Sequence, residues 1–272
     1  MLILAGAGSG KTTVLVNRIA YILQSELCKP WQILAITFTN KAAGELKERI
    51  CNAVPEGGSD IWAATFHSTC ARILRRYGDR IGFTSHFTVY GTDDQKKLVK
   101  DILKQLNYDE KMLPVKRVLN EISKAKDEML TPQEMLKRAG YDNLKQSVAK
   151  VYEIYQSRLK TADAMDFDDM LCKTVELFQK CPDILEFYQN QFKYIMVDEY
   201  QEIASICHGL QSSDCKIYAI LFTRTVVLPE PAPASISKGP SVQNTACCCI
   251  LFICENCFFN SDCTIAIFPL KV

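Results

Sequence analysis

The chain has 272 residues, 48% of them hydrophobic and 23% charged, with 32 basic and 31 acidic side chains and a net charge of +1. That composition describes a globular protein with a sizeable core and excludes disordered and fibrous classes, while any basic footprint for nucleic acid must be local. No apolar run reaches the roughly 18 residues of a spanning helix and no basic, apolar, small-residue leader opens the chain, so a cytoplasmic location without membrane attachment is expected.

Met1–Leu4 is an apolar run predicted to be a strand, followed by Ala5-Gly6-Ala7-Gly8-Ser9-Gly10-Lys11-Thr12 and an amphipathic stretch from Val14 to Leu23. Strand, glycine-rich turn and helix together suit a phosphate cradle. Glycines let successive N–H groups face one centre, and the helix N-terminus adds its positive dipole end. Lys11 is placed to reach the β- and γ-phosphates and Thr12 to offer its hydroxyl to Mg²⁺. One departure is Ala5, where the usual pattern has glycine.

Gln32–Thr37 is a second predicted strand, running into Phe38-Thr39-Asn40-Lys41 and a helix from Ala42 to Ile50. Ile61–Thr65 is a third, leading into Phe66-His67-Ser68-Thr69 and a helix that carries Arg72, Arg75 and Arg76. Both put an aromatic and hydroxyl-bearing residues at a strand's carboxyl end, where open α/β sheets bind ligands. Aromatics beside polar and cationic groups suit single-stranded nucleic acid; by composition alone, Phe38 and Phe66 read as core.

Residues 92–160 are predicted to be mostly helical. Thr92-Asp93-Asp94-Gln95 opens one helix as a capping box, Thr131-Pro132-Gln133-Glu134 starts another with Pro at the first helical position, and Ser147 to Leu159 is a third helix. Asp166-Phe167-Asp168-Asp169 begins another, its acids read as helix N-terminal charges. Tyr194–Val197 is then a buried parallel strand ending in Asp198 and Glu199. Asp198 is placed to hold Mg²⁺ and Glu199 to polarise an attacking water.

Taken in order, AGAGSGKT, TFTNKAAGELKERI, TFHSTCARILRR, FTVYGTDDQ, MDFDDML and FKYIMVDEYQ resemble the superfamily 1 UvrD/PcrA-type DNA helicases, continuously through residues 1–202. The resemblance implies an ATP-driven 3′ to 5′ motor that acts on single-stranded DNA and duplex junctions in repair and replication. It implies ATP binding by Ala5, Gly6, Ala7, Gly8, Ser9, Gly10, Lys11 and Thr12, with Mg²⁺ on Thr12 and Asp198. Glu199 becomes the water-activating acid, and Gln201 couples nucleotide to DNA. Thr37, Phe38, Thr39 and Asn40 match one single-strand contact motif, and Phe66, His67 and Ser68 match the next. The resemblance moves Phe38 from core to DNA contact and does little for Phe66.

The expected architecture is α/β: a RecA-like P-loop NTPase domain with a parallel sheet (residues 1–85 and 164–202), an inserted helical subdomain (86–163), and an irregular tail (203–272). After Gln201 the chain reads Glu202-Ile203-Ala204, and the family's continuation with its γ-phosphate arginines does not follow. The phosphate loop also begins four residues into the chain, where the family carries a glutamine-bearing segment first.

Composition changes at the same place. Five of 13 cysteines (Cys28, Cys51, Cys70, Cys172, Cys181) fall in the first 202 positions and eight in the last 70, whereas charged residues number 55 and 8. The tail matches an antisense translation of the chain's own start. When residue i is paired with residue 239 − i, the code permits every pair from Leu2/Ser237 to Ile36/Ile203, including Ala5–Thr13 against Val226–Ala234, and the match ends at Thr37/Glu202. Glutamine and histidine codons read backwards yield cysteine, so Cys247, Cys248, Cys249, Cys254 and Cys257 are expected to bind no zinc despite their spacing.

The expected function is therefore an ATP-dependent DNA helicase, here as a truncated form without unwinding activity. The alternatives are a P-loop ATPase that is not a motor, and an inactive fragment that binds ATP or single-stranded DNA.

Overall fold

The computed structural model describes residues 2–5, 10–198 and 249–255, the first and last as backbone only. In chain order the elements are β1 (Leu2–Ala5), α1 (Lys11–Gln24), β2 (Ile33–Thr37), α2 (Asn40–Ala53), β3 (Trp62–Thr65), α3 (Phe66–Tyr77), β4 (Thr88–Val89) and α4 (Thr92–Gln105). There follow α5 (Val115–Asp127), α6 (Pro132–Ala139), α7 (Asn143–Thr161), β5 (Ala164–Met165), α8 (Phe167–Lys180), α9 (Pro182–Gln191), β6 (Tyr194–Val197) and β7 (Cys249–Glu255). The chain divides into two compact units, whose described residues are 2–5, 10–64, 189–198 and 249–255 in the first and 65–188 in the second.

The first unit is a sheet of order β1-β7-β6-β2-β3. Strand β2 is buried at all five positions, as a strand covered on both faces requires. It pairs in parallel with β6, Ile33 opposite Tyr194 and Ile36 opposite Val197. Helices α1 and α2 bury Leu15, Ile19, Ile22, Leu46 and Ile50 in one core with Ile33, Ala35 and Met196. The i, i+3, i+4 spacing on α1 and α2 is the helical period that the sequence reading used.

The α/β class with a parallel β2–β6 pair is as expected, and β7 adds to it. The tail was expected to be irregular, yet Cys249–Glu255 lies in the sheet between β1 and β6. It runs antiparallel to both, so the sheet is mixed and not purely parallel. The segment CILFICE is short, apolar and rich in isoleucine, the composition of an interior strand whatever its origin. The rest of the tail, including Cys247, Cys248 and Cys257, lies outside the described residues.

The second unit is a helical assembly that includes α3, α8 and the first seven residues of α9 along with α4 to α7. Its core joins Val99, Ile102 and Leu103 of α4, Val118 and Ile122 of α5, and Val148, Val151, Tyr152, Tyr155 and Leu159 of α7. Strands β4 and β5 flank the insertion and form a separate two-stranded parallel sheet. At α6 Pro132 takes the expected first helical position, and Thr131 and Glu134 form a capping box. At α4 the cap shifts by one residue: Asp94 accepts the Gly91 N–H at 3.1 Å, in place of a box built on Thr92 and Gln95.

Beneath these helices lies a buried ionic cluster. Lys126 of α5, with a side chain 1% exposed, places Nζ 2.5 Å from Asp166 Oδ2 and 2.9 Å from Asp169 Oδ1. The Tyr155 hydroxyl donates to Asp166 Oδ2 at 2.8 Å, and Gln156 Nε2 donates to Asp169 Oδ1 at 2.9 Å. Asp166 also caps α8, its Oδ1 accepting the Asp169 N–H at 2.7 Å. These acids are thus more than helix N-terminal charges, because they hold a buried cation.

Burial, then the neighbouring Asp169 charge, pushes the Asp166 carboxyl up to about 6 from 3.8, against the pull of Lys126. Burial works against the Asp169 charge too, but Lys126 outweighs it and holds that carboxyl below the usual range. A raised carboxyl pKa means that the folded state binds the proton more tightly than the unfolded one, so the stability from Asp166 is full below pH 3.8 and is lost as pH rises to about 6. Asp169 has the opposite sign: its contribution is present above 3.8 and is lost as pH falls through its folded value. The native chain should therefore lose stability relative to Asp166→Asn as pH rises across the first window, read by urea unfolding at several pH values. A difference that stays level there would remove Asp166 from this account.

Candidate functional site

Gly6, Ala7, Gly8 and Ser9 lie outside the described residues, but both ends of their loop are in place. Ala5 closes β1 and Gly10 is the N-cap of α1, at φ 79° and ψ 27°. That left-handed conformation strains any residue with a Cβ, which is why glycine stands there. Helix α1 has no side-chain cap and no acidic residue in its first turn, so its N-terminal N–H groups and positive dipole end are not offset from within. Lys11 and Thr12 occupy that first turn.

Asp198 follows β6 and is 6% exposed. Its backbone N–H donates to Ile36 O at 2.8 Å, which extends the β2–β6 ladder by one bond and fixes the acid at the carboxyl end of the sheet. Across that end the Thr12 hydroxyl donates to Asp198 Oδ2 at 2.8 Å. Two hard oxygens at this separation match a neighbouring pair in an octahedral Mg²⁺ shell, where ligands about 2.1 Å from the metal lie about 3 Å apart. The donor set fits the ion. Glu199 and Gln201 lie outside the described residues.

The first nucleic-acid candidate closes β2. Thr37 is 1% exposed, and its hydroxyl has no hydrogen-bond partner among the described residues. Phe38 then turns outward and is 46% exposed. Thr39 caps α2, accepting the Ala42 N–H at 3.1 Å, and Asn40 is the first helical residue. An exposed aromatic between a buried hydroxyl and a threonine-capped helix N-terminus presents a ring face to solvent at the carboxyl end of β2.

The second candidate opens α3. Thr65 caps the helix from Ser68 N at 3.2 Å, and its hydroxyl meets Ser68 Oγ at 2.9 Å. Phe66 is only 5% exposed. Its ring lies in the core, the reading that composition alone favoured. Burial lowers the His67 pKa from 6.5 more than the Asp168 carboxylate raises it, which leaves a neutral imidazole at neutral pH. Arg75 and Arg76 of α3 make contacts within this unit. Arg75 donates to Ser85 O at 3.0 Å and lies over the Phe87 ring, while Arg76 lies over Tyr77 and Phe187.

A sequence profile described as the UvrD/REP helicase N-terminal domain matches residues 1–210. The chain belongs to that helicase family. It is 50% identical over 204 residues, 74% of this chain and 27% of the relative, to the ATP-dependent DNA helicase PcrA of Bacillus subtilis strain 168. It is 50% identical over 245 residues, 90% of this chain and 33% of the relative, to PcrA of Staphylococcus aureus strain NCTC 8325. Staphylococcus epidermidis strain RP62A has a PcrA with the same figures. The chain thus spans a third or less of the length of these relatives. The profile runs eight residues past 202, and the staphylococcal matches also extend into the tail. Among the described residues no helix is long and apolar enough to cross a membrane.

Two features of this helicase-family chain escaped sequence reasoning. Phe167, 47% exposed, stands edge-on to His67 with ring centroids 5.7 Å apart, so α8 adds a second accessible ring beside the α3 N-terminus. Its position after a capping aspartate was the signal. Lys126 was also missed, although Val118, Ile122 and Lys126 share an i, i+4 stripe that marks the lysine as inward-facing.

Proposed function

We propose that the chain is the ATP-binding part of a 3′ to 5′ DNA helicase, acting in the cytoplasm on single-stranded DNA and duplex junctions. The observation that carries this reading is the 2.8 Å hydrogen bond between Thr12 and Asp198, which joins a phosphate loop to an acidic strand end 186 residues away in sequence. In this reading Ala5–Thr12 wraps the triphosphate, and Lys11 donates to its β- and γ-oxygens. Thr12 and Asp198 hold Mg²⁺, which when bound neutralises charge on the transferring phosphoryl group. Glu199 accepts a proton from the attacking water, and Gln201 links the nucleotide to the nucleic acid.

Thr37, Phe38, Thr39 and Asn40, together with His67 and Ser68, are the proposed contacts to single-stranded DNA. The Phe38 ring, 46% exposed, supports this assignment, since a base can stack on it without rearrangement of the strand. Measuring Mg²⁺-dependent ATP binding and its stimulation by single-stranded DNA tests the reading. Failure to bind nucleotide with or without DNA would overturn it.

Two substitutions separate contact from core. Phe38→Ala should weaken single-strand binding by about 1–3 kcal/mol, roughly the worth of one stacked base, in a fluorescence anisotropy titration, with thermal stability unchanged. Phe66→Leu should do the reverse, costing about 1 kcal/mol of stability and leaving DNA affinity as it was. Equal effects on DNA affinity would return Phe66 to the contact set.

A further inference from the structure

Strand β1 leads into the phosphate loop, yet among the described residues its one strand neighbour is β7. The register is continuous, with Leu2 opposite Phe252, Ile3 opposite Leu251, Leu4 opposite Ile250 and Ala5 opposite Cys249. On its other edge β7 pairs with β6, Tyr194 opposite Glu255, Ile195 opposite Cys254, Met196 opposite Ile253 and Val197 opposite Phe252. Both neighbours run antiparallel to β7, so β1 and β6 point the same way, and Phe252 bridges them by facing Leu2 on one side and Val197 on the other. Adjacent strands lie about 4.8 Å apart, so one interposed strand sets β1 and β6 about 10 Å apart. The phosphate loop leaves β1 at the carboxyl end and Asp198 leaves β6 at the same end.

We propose that Cys249–Glu255 is a sheet-completing strand that ties β1 to β6 and thereby positions the phosphate loop against Asp198. This rests on the nucleotide-site reading above for its functional consequence, but not for its structural one. An antiparallel strand can serve because a ladder needs only alternating N–H and C=O groups and an apolar run, and CILFICE supplies both. A segment with no evolved partner thus becomes part of the ATP-binding unit, which gives residues far from every nucleotide motif control over nucleotide affinity.

The test uses the full chain carrying Leu251→Pro, since proline in an interior strand removes a ladder donor. Hydrogen exchange followed by mass spectrometry should show peptides covering 2–5 and 194–197 exchanging roughly tenfold or more faster, with peptides from α4 to α7 unchanged. Affinity for a fluorescent ATP analogue with Mg²⁺ should fall by a similar factor. Exchange at both strands equal to that of the unmodified chain would overturn the proposal. If the exchange accelerates as expected but the unmodified chain binds no nucleotide, the strand assignment stands and the nucleotide reading fails. A second variant guards against general unfolding: Ile195→Cys places a thiol opposite Cys254, and mild oxidation should yield the 195–254 disulfide in a peptide map. Recovery of Cys254 free or paired elsewhere would refute the register.

Discussion

Lys126→Met should destabilise the helical unit by about 3–5 kcal/mol, because it leaves two buried carboxylates without their cation. Methionine fills a similar volume, so the loss is electrostatic and not a cavity. Lys126 holds its proton firmly: burial disfavours the charge, but Asp169 and Asp166 outweigh burial and raise the pKa. Without the ammonium, the folded state must either keep unpaired anions or protonate them. The deficit should therefore shrink as pH falls, and Lys126→Met combined with Asp166→Asn and Asp169→Asn should recover much of the loss. Urea unfolding of the single and triple variants checks this. A single variant within about 1 kcal/mol of the native chain would show that solvent reaches the cluster.

The second large effect is expected at the phosphate loop. Lys11→Ala should slow ATP turnover by about 10²–10³-fold, the usual cost of removing one preorganised donor from a developing anion. MgATP affinity should drop by roughly 1.5–3 kcal/mol, the worth of a hydrogen bond to a charged group. Thr12→Ala should act differently, raising the Mg²⁺ concentration needed for half-maximal binding while leaving metal-free nucleotide affinity alone. Isothermal titration at several Mg²⁺ concentrations separates the two. Identical Mg²⁺ dependence in Thr12→Ala and the native chain would remove Thr12 from the metal site.

Much of the candidate site was legible because its determinants are local. A glycine forced to positive φ at position 10, a helix beginning at Lys11, and Thr39 and Thr65 capping the helices after β2 and β3 all involve residues within a few positions of one another. Such short-range patterns report backbone conformation directly, whatever the rest of the chain does. The apolar run before Asp198 likewise announced a buried strand, and the alternation of strands and helices announced an α/β sheet.

Other features were set at longer range. Phe38 and Phe66 each follow a predicted strand, yet one ring is 46% exposed and the other 5%. Nothing in the flanking residues distinguishes them, because burial depends on what packs over a side chain from elsewhere. Likewise Arg75 and Arg76 of α3 find their partners, Ser85, Phe87 and Phe187, outside their own helix. Asp166 and Asp169 read as helix N-terminal charges because their cation lies 40 residues earlier from Asp166.

From its sequence alone the chain had a glycine-rich turn between a strand and a helix, an acidic strand end and a helical insertion, since glycine placement, capping and apolar period are energies of neighbouring residues. Only the tertiary structure decided which ring is exposed, which acids share a buried lysine, and that Cys249–Glu255 enters the sheet between β1 and β6. Burial and pairing are properties of surfaces brought together across the whole chain, and desolvation makes their energies depend on every group that closes over them.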